Sequence, residues 1–138
     1  MIMRKFLMAA ATTVALSGCV SATPPREPLE YQVHMLTSEE TAHVEGDVRR
    51  YLRNPEALFA GLNAAQAPSG SVVVCGWVRR KYYDFTEYAR FPANRPFAAR
   101  YERGSSGRLR GFQMVHFADV KAQAPPLYTY CAQRGIPM

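Results

Sequence analysis

The chain has 138 residues with 48% apolar, 20% charged and 12% aromatic side chains, and 17 lysines and arginines outnumber 11 acids for a formal charge of +6. That length supports one modest hydrophobic core, which excludes two independent domains, a barrel enzyme or a large solenoid. The charge and aromatic fractions exclude wholesale disorder.

Residues 1–18, MIMRKFLMAAATTVALSG, place Arg4 and Lys5 before an uncharged run from Phe6 to Leu16. This is the layout of a secretory signal peptide, and the run is shorter than the roughly 20 apolar residues of a membrane-spanning helix. Leu16-Ser17-Gly18-Cys19 resembles the lipobox of bacterial lipoproteins. The resemblance implies cleavage before Cys19, acylation of its thiol and new amino group, and stable membrane anchoring by several acyl chains. Val20 follows where an Asp would signal inner-membrane retention, so the expected address is the outer membrane, facing the periplasm. Removing residues 1–18 leaves 15 cations against 11 acids, and the mature chain stays basic.

With Cys19 lipidated, Cys75 and Cys131 remain, and an even pair in an exported small protein reads as a disulfide. The alternative is a reactive Cys75 thiol served by His34, His43 or His116, although no C-x-x-C occurs and neither cysteine has a histidine nearby in sequence.

Residues 19–36 carry Pro24, Pro25 and Pro28 and read as an extended tether. Thr37 or Ser38 caps a helix opened by Glu39 and Glu40, with Ala42, Val44, Val48, Tyr51 and Leu52 as its apolar stripe and Arg49, Arg50 and Arg53 at its negative end. Asn54-Pro55 reads as a break and restart, with a second short helix over Glu56–Leu62. Ser71–Lys81, SVVVCGWVRRK, predicts a strand, and Tyr82–Phe91 continues as an aromatic strand or a strand edge with a loop. Phe97–Glu102 and Leu109–Phe117 flank a flexible hairpin connection at Arg103–Gly107. Pro125 or Pro126 opens a last helix that carries Cys131 and stops at Gly135. The expected fold over 37–138 is therefore α+β: an N-terminal helix pair, a three- to four-stranded antiparallel sheet, a short C-terminal helix and one disulfide.

Leu52-Arg53-Asn54-Pro55-Glu56-Ala57, followed some twenty residues on by Val74-Cys75-Gly76-Trp77-Val78, resembles a group of small proteobacterial exported proteins of unknown function. The likeness spans roughly residues 44 to 131, anchored at Pro55, Cys75, Gly76, Val78, Lys81, Tyr88, Phe91 and Cys131. Arg79–Phe85 departs from it, standing where the group has an Asn and paired glycines. The resemblance implies this fold and the disulfide, and no chemistry.

Residues 79–110 hold nine cations against Asp84, Glu87 and Glu102, whereas residues 20–70 hold seven acids against four arginines. A basic segment interleaved with Tyr and Phe suits nucleic acid, but the export signal points instead to an anionic envelope component or an acidic protein partner. Arg79, Arg80, Lys81, Arg108 and Arg110 are the candidate binding face. The three histidines are scattered without metal-site spacing, Glu39 and Glu40 read as helix-dipole compensation, and the Gly/Ser turns match no phosphate loop, so no metal or cofactor is expected. Trp77 shares a sheet face with Cys75 and is expected to pack on the disulfide. The expected function is a non-enzymatic outer-membrane lipoprotein acting as an envelope binding or accessory module. The alternatives are an envelope enzyme with Cys75 as nucleophile and His116 as base, or a purely structural envelope protein.

Overall fold

The computed structural model describes residues 30–79 and 94–138. The signal peptide, the lipobox with Cys19, the Pro-rich stretch up to residue 29, Arg80, Lys81 and the aromatic segment Tyr82–Phe91 lie outside the described residues.

A short strand β1 (Gln32–His34) leads into helix α1 (Ser38–Leu52), then strands β2 (Leu58–Gln66), β3 (Val72–Arg79), β4 (Arg95–Arg103) and β5 (Leu109–Phe117), and a 3-10 turn (Lys121–Gln123) runs into helix α2 (Ala124–Ala132). The five strands form one antiparallel sheet in the order of the chain. One face meets α1: Val44 and Val48 pack with Val72, Val74, Val78, Phe97, Ala99 and Tyr101. The other face meets α2: Ala124, Leu127 and Cys131 pack with Ala65, Val73, Cys75 and Ala98. Because β3 is covered on both sides, Val72-Val73-Val74 is a continuous apolar run rather than an alternating one.

Helix α1 begins as its sequence dictates. Thr37 Oγ1 accepts the Glu40 N–H at 3.1 Å while Glu40 Oε2 accepts the Thr37 N–H at 3.1 Å, a reciprocal capping box. The helix ends at Arg53, whose left-handed backbone (φ 53°) directs its N–H to the Arg49 and Arg50 carbonyls. The expected apolar stripe is narrower than its spacing suggests: Val44 and Val48 are fully buried, whereas Ala42 and Tyr51 are exposed.

The expected N-terminal helix pair and three- to four-stranded sheet are both corrected. Asn54 Oδ1 accepts the Glu56 N–H at 3.2 Å and the Asn54 carbonyl accepts the Ala57 N–H at 3.3 Å, so the chain makes a turn at Pro55 instead of restarting a helix. Leu58–Gln66 is then strand β2, whose Ala- and Leu-rich composition favours a helix but whose pairing with β3 overrides that preference. The other α-helix among the described residues is α2, at the opposite end of the chain and on the opposite face. The fifth strand, β1, falls inside the segment read as a tether and pairs Gln32, Val33 and His34 with Gln66, Ala65 and Ala64.

A bulge between Ala60 and Asn63, with Gly61 at φ +59°, swings Leu62 over β3. That placement requires glycine at position 76: a Cβ there would stand 2.5 Å from Leu62 Cδ2 and 3.3 Å from Phe97 Cε1.

Candidate binding cleft

Strand β3 sends Val73, Cys75 and Trp77 toward α2, as the period of two requires. On α2, Leu127 and Cys131 are buried four residues apart, and Tyr128 lies one turn before Cys131. Cys75 and Cys131 are joined by a disulfide, with Cα atoms 6.4 Å apart and neither side chain exposed. The bridge therefore fixes two neighbouring side chains: Trp77, two residues along β3, and Tyr128, three residues back on α2. Their ring centroids stand 6.0 Å apart at 46°.

Between and beside these rings runs a cleft of about 440 Å³ lined by Ala60, Trp77, Asn94, Lys121, Ala124, Pro125 and Tyr128. Its lining is aromatic and aliphatic apart from Asn94 and Lys121. Tyr128 is 37% exposed, so one ring faces outward while its neighbours on α2 hold the core. A concave apolar surface with few polar groups, built on a strand and a helix locked together, is the form of a small-ligand site. Trp77 thus lies on the expected face near the disulfide, and among the described residues its ring contact is with Tyr128. Sequence reading missed Tyr128, Lys121 and Asn94. The signal available was spacing, since residues two after Cys75 and three before Cys131 must flank any bridge between them.

Arg80 and Lys81 of the expected basic face lie outside the described residues, and its three described members fall at two ends of the sheet. Arg79 ends β3 beside Leu58 and next to the Val78–Arg95 pair, whereas Arg110 pairs with Glu102 at the other end of β4. Seven residues at about 3.3 Å each separate those ends by about 23 Å. Arg108 is exposed at the hairpin end and lies 3.5 Å from the equally exposed Glu39. Two further cations of the basic segment are committed inside the fold: Arg95, 3% exposed, pairs with Asp119, and Arg103 reaches across to α1.

Arg103 belongs to a polar cluster that joins four elements. Its Nη1 lies 3.0 Å from Glu40 Oε1 and donates to the Gly107 carbonyl at 2.8 Å, and its Nη2 donates to Gln66 Oε1 at 3.3 Å. Glu40 Oε2 meets His34 Nε2 at 2.8 Å. Burial pushes the Glu40 carboxyl upward, but hydrogen bonds from His34, the Thr37 backbone and Arg103 outweigh it and hold the group below the usual carboxylate range. With its oxygens so occupied, Glu40 ties the cap of α1 to the β4–β5 hairpin.

Deeper under α1, Asp47 pairs with Arg50 and lies 3.3 Å from His43. Burial first, and then the Asp47 charge, keep the Tyr101 hydroxyl protonated well above its ordinary range. That hydroxyl makes no well-formed hydrogen bond among the described residues.

The alternative of a Cys75 nucleophile with a His116 base meets two obstacles. The Cys75 sulfur is bonded and buried. His116 lies in the same lateral row but on the far side of Ala98, and its ring rests 5.2 Å from that of Tyr130. Among the described residues no group of three or more His, Cys, Asp and Glu side chains could hold a metal ion, and no helix is long and apolar enough to cross a membrane. No protein-family model, curated protein or solved structure matches the chain.

Proposed function

We propose that this chain is a non-enzymatic binding module of the bacterial envelope, held at the periplasmic side of the outer membrane by an acylated Cys19, and that its ligand site is the Trp77–Tyr128 cleft. The observation that carries the reading is the placement of those two rings by the buried Cys75–Cys131 bridge. A bridge of that kind persists in an oxidising compartment, in keeping with the signal peptide and lipobox. The likeness to small exported proteobacterial proteins agrees with this address.

The chemistry of the lining selects a ring-bearing ligand with an acidic group. Flat or puckered rings stack on Trp77 and Tyr128, Asn94 supplies a hydrogen-bonding amide, and Lys121 supplies the cation for a carboxylate. Glycan fragments with lactyl or peptide carboxylates, as peptidoglycan provides, meet that description. Trp77 is the single tryptophan of the chain, so its emission reports the cleft directly. Titration with soluble peptidoglycan disaccharide-peptides should shift that emission saturably, and Tyr128→Ala and Lys121→Gln should each weaken the response. Emission that stays unchanged with every fragment would overturn the reading. Intact-mass measurement of the detergent-extracted protein tests the anchor, since the proposal requires a chain that starts at an acylated Cys19.

A further inference from the structure

The C-terminal end of α2 stands beside a corner of the sheet that collects arginines. On β4 the period of two puts Ala98, Arg100 and Glu102 on the α2 face, and β5 brings Gln113 opposite Arg100 and Arg110 opposite Glu102. These four polar side chains are exposed. Arg134, just past α2, adds a third guanidinium. Its Cζ stands 3.5 Å from the centre of the Tyr130 ring and 5.4 Å from that of Tyr31, and its Nη1 donates to the Tyr130 carbonyl at 2.9 Å. Burial pushes the Tyr130 hydroxyl up, while the Arg134 and Arg100 charges pull it back, which places both guanidinium groups within electrostatic reach of that hydroxyl.

These cations are not spent inside the fold. Arg110 and Arg134 form no ion pair among the described residues. Arg100 approaches Glu102 at 3.5 Å, but both side chains are exposed and water screens the pair. Three arginines thus share one glutamate. Stacking on Tyr130 also restrains Arg134, so its planar fork meets a phosphate with less loss of freedom than a loose side chain would suffer.

We propose that Arg100, Arg110 and Arg134 form a contact face for the phosphate groups of the membrane that carries Cys19, and that this contact stands the domain with its aromatic cleft away from the bilayer. Two features select lipid phosphate over other anions. Tyr31, whose ring lies against Arg134, is twelve positions after Cys19, a span of at most about 43 Å when fully extended, so headgroups of the anchoring leaflet are always within reach of this corner. Guanidinium groups bordered by tyrosine rings also suit a headgroup layer, where the ring straddles apolar and wet surroundings and the cation meets phosphate. The cleft lies at the other end of the same face: Trp77 pairs with Pro96, six residues along β4 from Glu102, or about 20 Å. A molecule resting on the arginine corner therefore directs that cleft outward from the membrane. The inference rests on the acylation of Cys19 and not on the ligand of the cleft.

The test places the detergent-extracted chain in nanodiscs of phosphatidylcholine with about one-third phosphatidylglycerol and a trace of gadolinium-headgroup lipid, and reads the broadening of amide signals by NMR. Amides of Arg110–Gln113 and Tyr130–Arg134 should broaden several-fold more than those of α1 on the opposite face. Arg100→Glu with Arg110→Glu alters only exposed positions, so that variant should keep the Cys75–Cys131 bridge and lose the difference, as should the natural chain in about 0.5 M salt. Equal broadening of both faces in the natural chain, or a difference that survives in the double variant, would overturn the proposal. Movement of the same signals on adding poly-glutamate, without broadening from the discs, would overturn it too and assign the face to an acidic protein. If the extracted chain carries no lipid, the anchor reading fails by itself and the face is tested on that chain with free phosphatidylglycerol vesicles. It should then sediment with them at low salt, and the double variant should bind at least about fivefold more weakly; no such loss would overturn the face as well.

Discussion

Removal of the Cys75–Cys131 bridge is the most quantitative test of how this fold is held. The cysteines are separated by 56 positions, so in the chain-entropy model opening the loop releases about 4 kcal/mol of denatured-state constraint. Native domains have total stabilities of about 5–15 kcal/mol, so a loss of that size consumes much of the whole. Both side chains are fully buried, which makes alanine the right replacement, since a serine hydroxyl would add an unsatisfied polar group. The double variant Cys75→Ala, Cys131→Ala is therefore expected to lose about 4 kcal/mol, and a urea slope of about 2 kcal/mol/M converts that to a midpoint about 2 M lower. The assay is urea unfolding followed through Trp77, two residues from the bridge. Its native emission should also move to the red, because α2 is kept against the sheet by Ala124, Leu127 and Cys131 and one of the three would be cut down. A midpoint change below about 0.5 M, or about 1 kcal/mol, would refute the reasoning and show that α2 packs unaided.

Gly76→Ala places a methyl group against Leu62 and Phe97 and should cost about 1–3 kcal/mol in thermal or urea unfolding, with Leu62→Ala in the same chain recovering part of the loss. Glu40 has a carboxyl held below its unfolded value, so its contribution is fully present above the ordinary glutamate range, near about pH 4.3, and disappears as the pH falls through the lowered value. Urea midpoints measured from pH 7 down to pH 3 should fall less steeply for Glu40→Gln than for the natural chain; parallel curves would contradict the role given to this cluster. Tyr101→Phe removes a buried hydroxyl that lacks a well-formed hydrogen bond and should change stability by less than about 0.5 kcal/mol. A loss above about 1.5 kcal/mol would reveal a bond to Asp47.

Local chemistry made some elements legible before any coordinates. Thr37 and Glu40 stand at capping-box spacing, and three successive valines before Cys75 suit only a strand buried on both sides or a core helix too short to stand alone. Strand β2 was hidden because Ala, Leu and Gln prefer helices and because the Gly61 bulge breaks the period of two. Its identity comes from β3 lying beside it, which no window on residues 56–66 contains. Strand β1 was hidden by brevity: three residues in a segment next to prolines carry no periodicity. How the cations of the basic segment share a surface is not legible from their order in the chain. Arg79 ends β3 at one end of the sheet while Arg110 pairs with Glu102 at the other, and Arg80 and Lys81 lie outside the described residues. The cleft was half legible, since Trp77 shares a face with Cys75 at any strand register, while Tyr128 enters only once the helix carrying Cys131 is docked.

The strand order has a consequence for the route by which the molecule forms. Each long strand pairs with the next one along the chain, so β2–β3 and β4–β5 can assemble as hairpins closed by five residues each while β3–β4 closes over residues 80–94, a largely local topology that favours rapid folding. The bridge departs from that locality, because Cys131 lies on the last helix and meets the middle strand only after β4 and β5 have been laid down between them in sequence. Oxidation is thus expected to follow assembly: the sheet brings the thiols together, and the covalent bond then secures an arrangement already reached. A reduced chain returned to native conditions should accordingly regain its strand signal before its thiols disappear, and an oxidant added at the start should do little to hasten the sheet.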